Sequence, residues 1–479
     1  MADQASGVAG EVSALGEVPK PATLAECHQV IDTLSGQLAA LQQTVVVLSE
    51  RLALNSRNSS KPPSSDGPGG GNRAQRRASA RKRGAQKGHP GAWRELLPAS
   101  EVDSVQRCTP PAQCECGGTV VVRGAPQRHQ VFDLPPVIKP VVDEYKLYAG
   151  VCAGCGQVHS AVLPPGVPRG QIGARALALV GMLGTRFQMP QMKIRDLLAQ
   201  LMGIDFSVGA ISAAHGKVAQ ALAEPVGQAI ASLGQAAVVH MDETHYGREG
   251  GSGHWVWAAV QQRLALYSVL PSRARYVVHN LIGERPAAIV VSDRYAAYGY
   301  IDAQRRQVCW AHLLRDFNRI AQRAGQAGRI GARLLGLGYL MFRWRERGKT
   351  GAEPFEPLVR RMRRALERGA GQTQCPRTAA TCDNLLKLWP ALWTFLRDEA
   401  VPPTNNSAEQ ALRAIVLKRK ISGPTRSRRG DEFIARGFSA AETCRRQGRD
   451  LLDYLHKTVI AWIDGTTAPS LIPRPAPSG

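Results

Sequence analysis

At 479 residues the chain has room for two to four domains, and its 61 Lys and Arg against 38 Asp and Glu leave a formal charge of +23. Such a surplus makes an acidic polymer the leading partner, because neutralising phosphates releases counterions, so nucleic acid comes first and a membrane is not expected. No apolar stretch nears the ~18 residues that cross a bilayer, and the opening residues lack the basic-then-apolar order of a signal peptide. A cytoplasmic, nucleoid-associated protein is expected, and its ten cysteines in a reducing compartment speak for metal binding and against disulfides.

Residues 1–21 read as a disordered N-terminus. Over 22–54, Leu24, Cys27, Ile31, Leu34, Leu38, Leu41, Val45, Leu48 and Leu52 recur in alternating steps of three and four. That seam predicts a coiled coil joining protomers, with an amphipathic helix packed on its own domain as the alternative. Residues 55–99 form a polar, turn-rich linker whose basic run includes Arg76, Arg77, Arg81, Lys82 and Arg83 and no acid; a mobile arm lying on DNA phosphates is expected there.

The stretch 100–168 reads as a small β module with Cys114-Glu-Cys116 and Cys152-Ala-Gly-Cys155. Four thiolates can enclose a structural Zn²⁺, although the first pair has a one-residue spacer where two is usual. Residues 169–235 read as a helical DNA-binding region, in which Gly203-Ile-Asp-Phe-Ser-Val-Gly resembles the turn of a helix-turn-helix.

From 236 the texture alternates between strands and helices. Ala236–Asp242 reads as a strand ending in an acid, Trp255–Val260 and Leu264–Leu270 as a hairpin, Arg273–Gly283 as a helix, and Ala287–Asp293 as a further buried strand delivering an acid. Three strands, a helix and a fourth strand, with acids on the first and fourth, match a ribonuclease-H-like mixed sheet. Glu243 competes with Asp242, yet adjacent strand residues face opposite sides, so one of the two enters the site. Carboxylates suit hard cations such as Mg²⁺ or Mn²⁺, and two such ions about 3.5–4 Å apart stabilise both oxygens of a phosphoryl transfer.

The third acid is Glu409, in a segment where Pro402-Pro403 ends one helix and Asn405 or Asn406 begins another; the spacing equally fits a local capping box. Basic residues follow at Arg413, Lys418, Arg419 and Lys420, and they are expected to meet DNA phosphates. Residues 310–401 read as a helical insertion, 402–445 as completion of the core, and 446–479 as a C-terminal helix and tail.

Several phrases together resemble transposases of the insertion sequence 66 family. They are Asn55-Ser-Arg-Asn-Ser-Ser-Lys-Pro-Pro-Ser-Ser-Asp66, Gln86-Lys-Gly-His-Pro-Gly91, His129-Gln-Val-Phe-Asp-Leu-Pro-Pro136, Met241-Asp-Glu-Thr244, Ser292-Asp-Arg-Tyr-Ala-Ala-Tyr298 and Pro403-Thr-Asn-Asn-Ser-Ala-Glu-Gln-Ala-Leu-Arg413. The resemblance implies that Asp242, Asp293 and Glu409 form a DDE triad on Mg²⁺ or Mn²⁺, with a helical insertion between the second and third acids. Cys309-Trp-Ala-His312 resembles the family's short Cys and His stretch, which makes His312 a site neighbour. The implied activity is cutting at the ends of an insertion sequence and joining the freed 3′-hydroxyl to target DNA, with no covalent protein–DNA intermediate. Accessory proteins of the same element are further expected partners. A catalytically inactive DNA-binding relative and a hydrolysis-only nuclease remain as rivals.

Overall fold

The structure, a computed structural model, describes residues 23–55, 58, 95–135, 138–250 and 253–473. The basic arm with Arg76, Arg77, Arg81, Lys82 and Arg83, most of the linker that carries it, and the N-terminal residues 1–21 lie outside the described residues.

Helix α1 (Leu24–Leu52) leaves its whole apolar stripe in solvent: Leu24, Ile31, Leu34, Leu38, Leu41, Val45, Leu48 and Leu52 are all exposed. Its far end is tied to the body, where Glu50 pairs with Arg323 at 3.3 Å and also with Arg377. Strands β1 (Ala149–Val151) and β2 (Val158–Ser160) then pair as a short antiparallel ladder with no buried residue.

A helical layer follows: α2 (Ala174–Thr185), α3 (Gln191–Met202), α4 (Val208–Ala221) and α5 (Ala223–Ala231). Between α3 and α4 the sequence behaves as its turn residues dictate. Gly203 adopts the left-handed conformation, φ 64°, that a side chain would resist, and Ser207 caps α4 by accepting from the Ala210 amide at 3.1 Å. A turn thus separates α3 from α4, and α4 is a core helix: Ile211, Ala214, His215, Val218, Ala219 and Ala221 are buried. Little of α4 is left to enter a DNA groove.

The sheet comprises β3 (Val238–Tyr246), β4 (His254–Val260), β5 (Ala265–Leu270), β6 (Ile289–Ser292) and β7 (Arg306–Val308), with helix α6 (Arg275–Ile282) crossing between β5 and β6. Its order is β5-β4-β3-β6-β7; β4 runs antiparallel to both β5 and β3, and β3, β6 and β7 run parallel. The hairpin, helix and fourth strand read from the sequence all appear, while β3 continues to Tyr246, past the acid expected at its end.

Next come α7 (Trp310–Ala321), α8 (Gly325–Glu346), α9 (Glu356–Gly371), α10 (Pro376–Lys387), α11 (Trp389–Leu392) and α12 (Thr394–Arg397). This helical insertion has its own core, including Trp310, Phe317, Leu334, Met341, Phe355, Leu366 and Phe395, packed onto Val291 and Val308 of the sheet. It leaves and re-enters at one place, because the Trp310 amide donates to the Pro403 carbonyl at 2.9 Å and the Asn405 amide to Cys309 Sγ at 3.1 Å.

Helices α13 (Asn406–Ser422), α14 (Arg428–Gln447) and α15 (Leu451–Asp464) complete the chain. Strand alternation sorts the cores. Val239 and Met241 pack with the helical layer, whereas Tyr246, Val256 and Ala258 pack under Ala408, Ala411, Leu412 and Ile415 of α13 and Phe438 of α14. One face of β3 is thus shared between the insertion, which touches Val238, and α13, with the middle of the strand at the seam.

Candidate active site

Asp242 occupies that seam. The β3–β6 ladder pairs His240 with Val291, and Asp242 and Asp293 each lie two residues beyond that pair, so a continued register brings them to the same end of the two strands. Asp293 follows the last residue of β6 and accepts a 2.9 Å hydrogen bond from the Tyr295 amide. Its carbonyl is held by buried Arg306 at 2.6 Å.

Glu409 lies in the first turn of α13. The helix starts one residue earlier than a capping box on Asn406 would need: the residue at its mouth is Asn405, whose side chain makes no capping bond. Instead Asn405 Nδ2 donates to the Met241 carbonyl at 2.7 Å, and its Oδ1 lies 3.1 Å from His240 Nδ1. Fully buried, Asn405 ties the helix bearing Glu409 to the strand bearing Asp242. The Glu409 carboxylate faces the insertion, 3.4 Å from His312 Nδ1 and 3.7 Å from Arg315 Nη2.

The Asp242 carboxyl is pushed well above the usual carboxylate range, first by desolvation and then by the charges of Glu243, Asp293 and Glu409. Glu243 points to the opposite face, as alternation requires, and its carboxylate accepts from Arg273 at 2.5 Å and from the Tyr298 hydroxyl at 2.7 Å. Burial first, and then Glu243, hold the Tyr298 hydroxyl protonated well above its ordinary value, so it serves as a donor. Tyr298→Phe should cost about 1.5–3 kcal/mol, the value of a hydrogen bond to a charged group, readable as a lowered denaturation midpoint. An unchanged midpoint would mean that Tyr298 gives Glu243 no support.

Whether the residues suit a divalent cation can be judged from their unmet needs. His312 Nδ1 and Glu409 Oε1 are buried without a hydrogen-bond partner, and Asp242 carries the repulsion of three other carboxylates. A cation beside them would answer both deficits, and carboxylate oxygens are the donors that Mg²⁺ and Mn²⁺ prefer. The donor set fits. Among the described residues, the group tight enough to share one ion, with donor atoms all within 4.8 Å, is Cys309, His312 and Glu409, and neither aspartate belongs to it. Sequence reasoning missed Cys309 and Arg315, although Cys309 opens the same short Cys and His stretch.

The other expected sites fare differently. Cys114 and Cys116, and Cys152 and Cys155, each form a tight turn closed by Gly117 N donating to Cys114 O at 2.8 Å and Gly156 N to Cys152 O at 2.9 Å. The Gly118 amide and then Cys114 lower the Cys116 thiol, and the Cys155 and Gly154 amides lower Cys152. Among the described residues, no group of donor atoms within 4.8 Å of one another joins the two pairs.

Arg413 and Lys420 are exposed and Arg419 is half-buried, as DNA contacts would need. Lys418 departs from the expectation: it is buried and donates to the Met189 carbonyl at 2.7 Å, and desolvation lowers its ammonium to about 8. The helical period explains the difference, since Lys418 falls three residues after Ile415 on the inward face of α13. It lines a cavity of about 680 Å³ with His215, Arg426, Arg429 and Phe433. No helix among the described residues is long and apolar enough to cross a membrane.

Comparison with known proteins accords with this geometry. The sequence model of the family described as "Transposase IS66 family" matches residues 169–432, more than half of the chain and the whole stretch carrying Asp242, Asp293, His312 and Glu409. A second model, "Family of unknown function (DUF6444)", matches residues 16–95, which take in α1 and the basic arm. No curated protein matches. The chain accordingly belongs to the IS66 family of transposases.

Proposed function

We propose that the chain is a DDE-type transposase that cuts DNA at the ends of an insertion sequence and joins the freed ends to target DNA. The observation that carries this reading is that the charges of Asp293 and Glu409, far away in sequence, both act on the buried Asp242 carboxyl. The order of three antiparallel strands, a helix and two further parallel strands supports a ribonuclease-H-like core.

Asp242, Asp293 and Glu409 would hold Mg²⁺ or Mn²⁺. Such ions supply Lewis-acid stabilisation of the attacking and leaving oxygens of a phosphodiester. The protein's own part is positioning: Asn405 fixes Glu409 against β3, Arg306 holds the turn of Asp293, and the Glu243–Arg273–Tyr298 group braces the strand from behind. Arg315, Arg413, Arg419 and Lys420 would provide positive charge for a phosphate backbone. Water attacking the element-end phosphodiester releases a 3′-hydroxyl, which in turn attacks the target strand.

The exposed stripe of α1 supports pairing with a second copy as a coiled coil, which would bring two element ends together. Accessory proteins of the element remain an expected class of partner.

The test is direct. The purified chain, labelled element-end DNA, Mg²⁺ and a plasmid target should yield joined products, and sedimentation should give a species larger than one chain. Cut ends that never join would reduce the reading to a nuclease, an intact substrate to a DNA-binding relative, and a monomer would remove the coiled coil.

A further inference from the structure

The Glu409–His312 pair is unusual in what it lacks. The two facing atoms, Oε1 and Nδ1, are both buried and neither has a hydrogen-bond partner, although each is polar enough that leaving it unmet costs about 1–3 kcal/mol. Their separation of 3.4 Å exceeds the 2.7–3.2 Å of an N–H···O hydrogen bond. It falls at the wide end of the spacing of two donors on a common cation: ligand distances of about 2.0–2.1 Å set neighbours roughly 2.8–3.0 Å apart at octahedral angles and roughly 3.3–3.4 Å apart at tetrahedral ones. From this geometry we infer that His312 is itself a ligand, binding through Nδ1 the same cation that Glu409 binds through Oε1.

The local fold holds His312 for this purpose. It sits in the first turn of α7, whose N-cap is Cys309, and that end is pinned to the mouth of α13 by the Asn405 amide on Cys309 Sγ and the Trp310 amide on the Pro403 carbonyl. Imidazole and carboxylate therefore arrive from two helices locked at their starts. The Cys309 thiol lies within the same 4.8 Å group, but it is fully buried and already receives the Asn405 amide. It serves as a strut behind the histidine.

The consequence is a choice of metal. An all-carboxylate site favours Mg²⁺, which takes oxygen donors; an added imidazole shifts preference toward Mn²⁺ and later first-row ions. This inference deepens the reading of Asp242, Asp293 and Glu409 as cation holders and rests on it.

Electron spin-echo spectroscopy of the full chain loaded with Mn²⁺ and no DNA tests it without relying on activity. Nitrogen modulation from one imidazole is expected, and it should change its isotope pattern in wild-type protein grown with ¹⁵N-histidine, which needs no substitution. In His312→Ala the modulation should vanish and the Kd for Mn²⁺ should rise about 10–100-fold, with a smaller change for Mg²⁺. Bound Mn²⁺ lacking histidine modulation overturns the inference, as does modulation that survives His312→Ala and disappears in His240→Ala. Strand joining with no nitrogen signal would refute the ligand and spare the proposed function. A nitrogen signal without any strand cutting would do the reverse.

Discussion

Asp242→Asn should abolish strand cutting and joining and at the same time make the metal-free protein more stable. The loss follows from removing one of three anionic donors: several kcal/mol of transition-state stabilisation are forfeited, on the order of 10³-fold or more in rate. The gain follows from the raised carboxyl. A carboxylic acid whose folded value lies above its unfolded value keeps a proton on folding that the unfolded chain has released. Folding stability therefore falls as pH rises from the unfolded value, near 3.8, through the folded one, and the cost persists above it. Asparagine carries no such charge, so its advantage should be absent at low pH and should grow as pH rises through the folded value of the carboxyl, readable as a higher Tm for the variant than for the wild type. Divalent cations should raise the Tm of the wild type more than that of the variant. Thermal scans with and without Mn²⁺ at several pH values check this, and a variant less stable than wild type at neutral pH in chelator would contradict it.

Asn405→Ala should produce the second large effect, through position and not through contact with DNA. Its amide bridges the Met241 carbonyl and His240 inside the protein, so alanine strands two polar groups and should cost about 2–4 kcal/mol. Glu409 begins four residues along the same helix. A displacement of about 1 Å in a reacting geometry can cost 10²-fold in rate, and a loss of that order is expected per folded molecule, with affinity for element-end DNA unchanged. Stability measured by denaturation and single-turnover cutting measured at a temperature where the variant is folded separate the two roles. An unaltered rate per folded molecule would make Asn405 a structural residue only.

The two aspartates stood out because each ends an apolar run short enough to be a buried strand, and strand alternation required that only one of Asp242 and Glu243 enter the site; it is the structure that turns Glu243 to Arg273 and Tyr298. Glu409 was not legible from spacing: its approach depends on the long helical excursion after Cys309 closing back on itself, which no local pattern records. The family resemblance, not periodicity, singled it out. Asn405 read only as a helix starter, because a buried amide bridging two elements leaves the same sequence trace as a cap. Lys418 read as a phosphate contact among its basic neighbours; it is the helical phase, set by Ile415 and Leu412 facing the sheet, that turns it inward. The cysteine pairs were visible as turns, while the distance between the pairs is a property of the intervening chain.

The clamp at the root of the insertion, where Trp310 meets Pro403 and Cys309 meets Asn405, separates two design problems that would otherwise be coupled. Everything between those residues has its own core, which rests on Val291 and Val308 of the sheet and on Arg306 and Gln307 of β7, while the chain enters and leaves it at one stem. Its size and shape can drift, acquire a new surface or shrink, and the ends of the stem still present His312 and Glu409 to each other. The distance along the chain from the second acid to the third is for that reason a free variable, and the spatial gap between them is not.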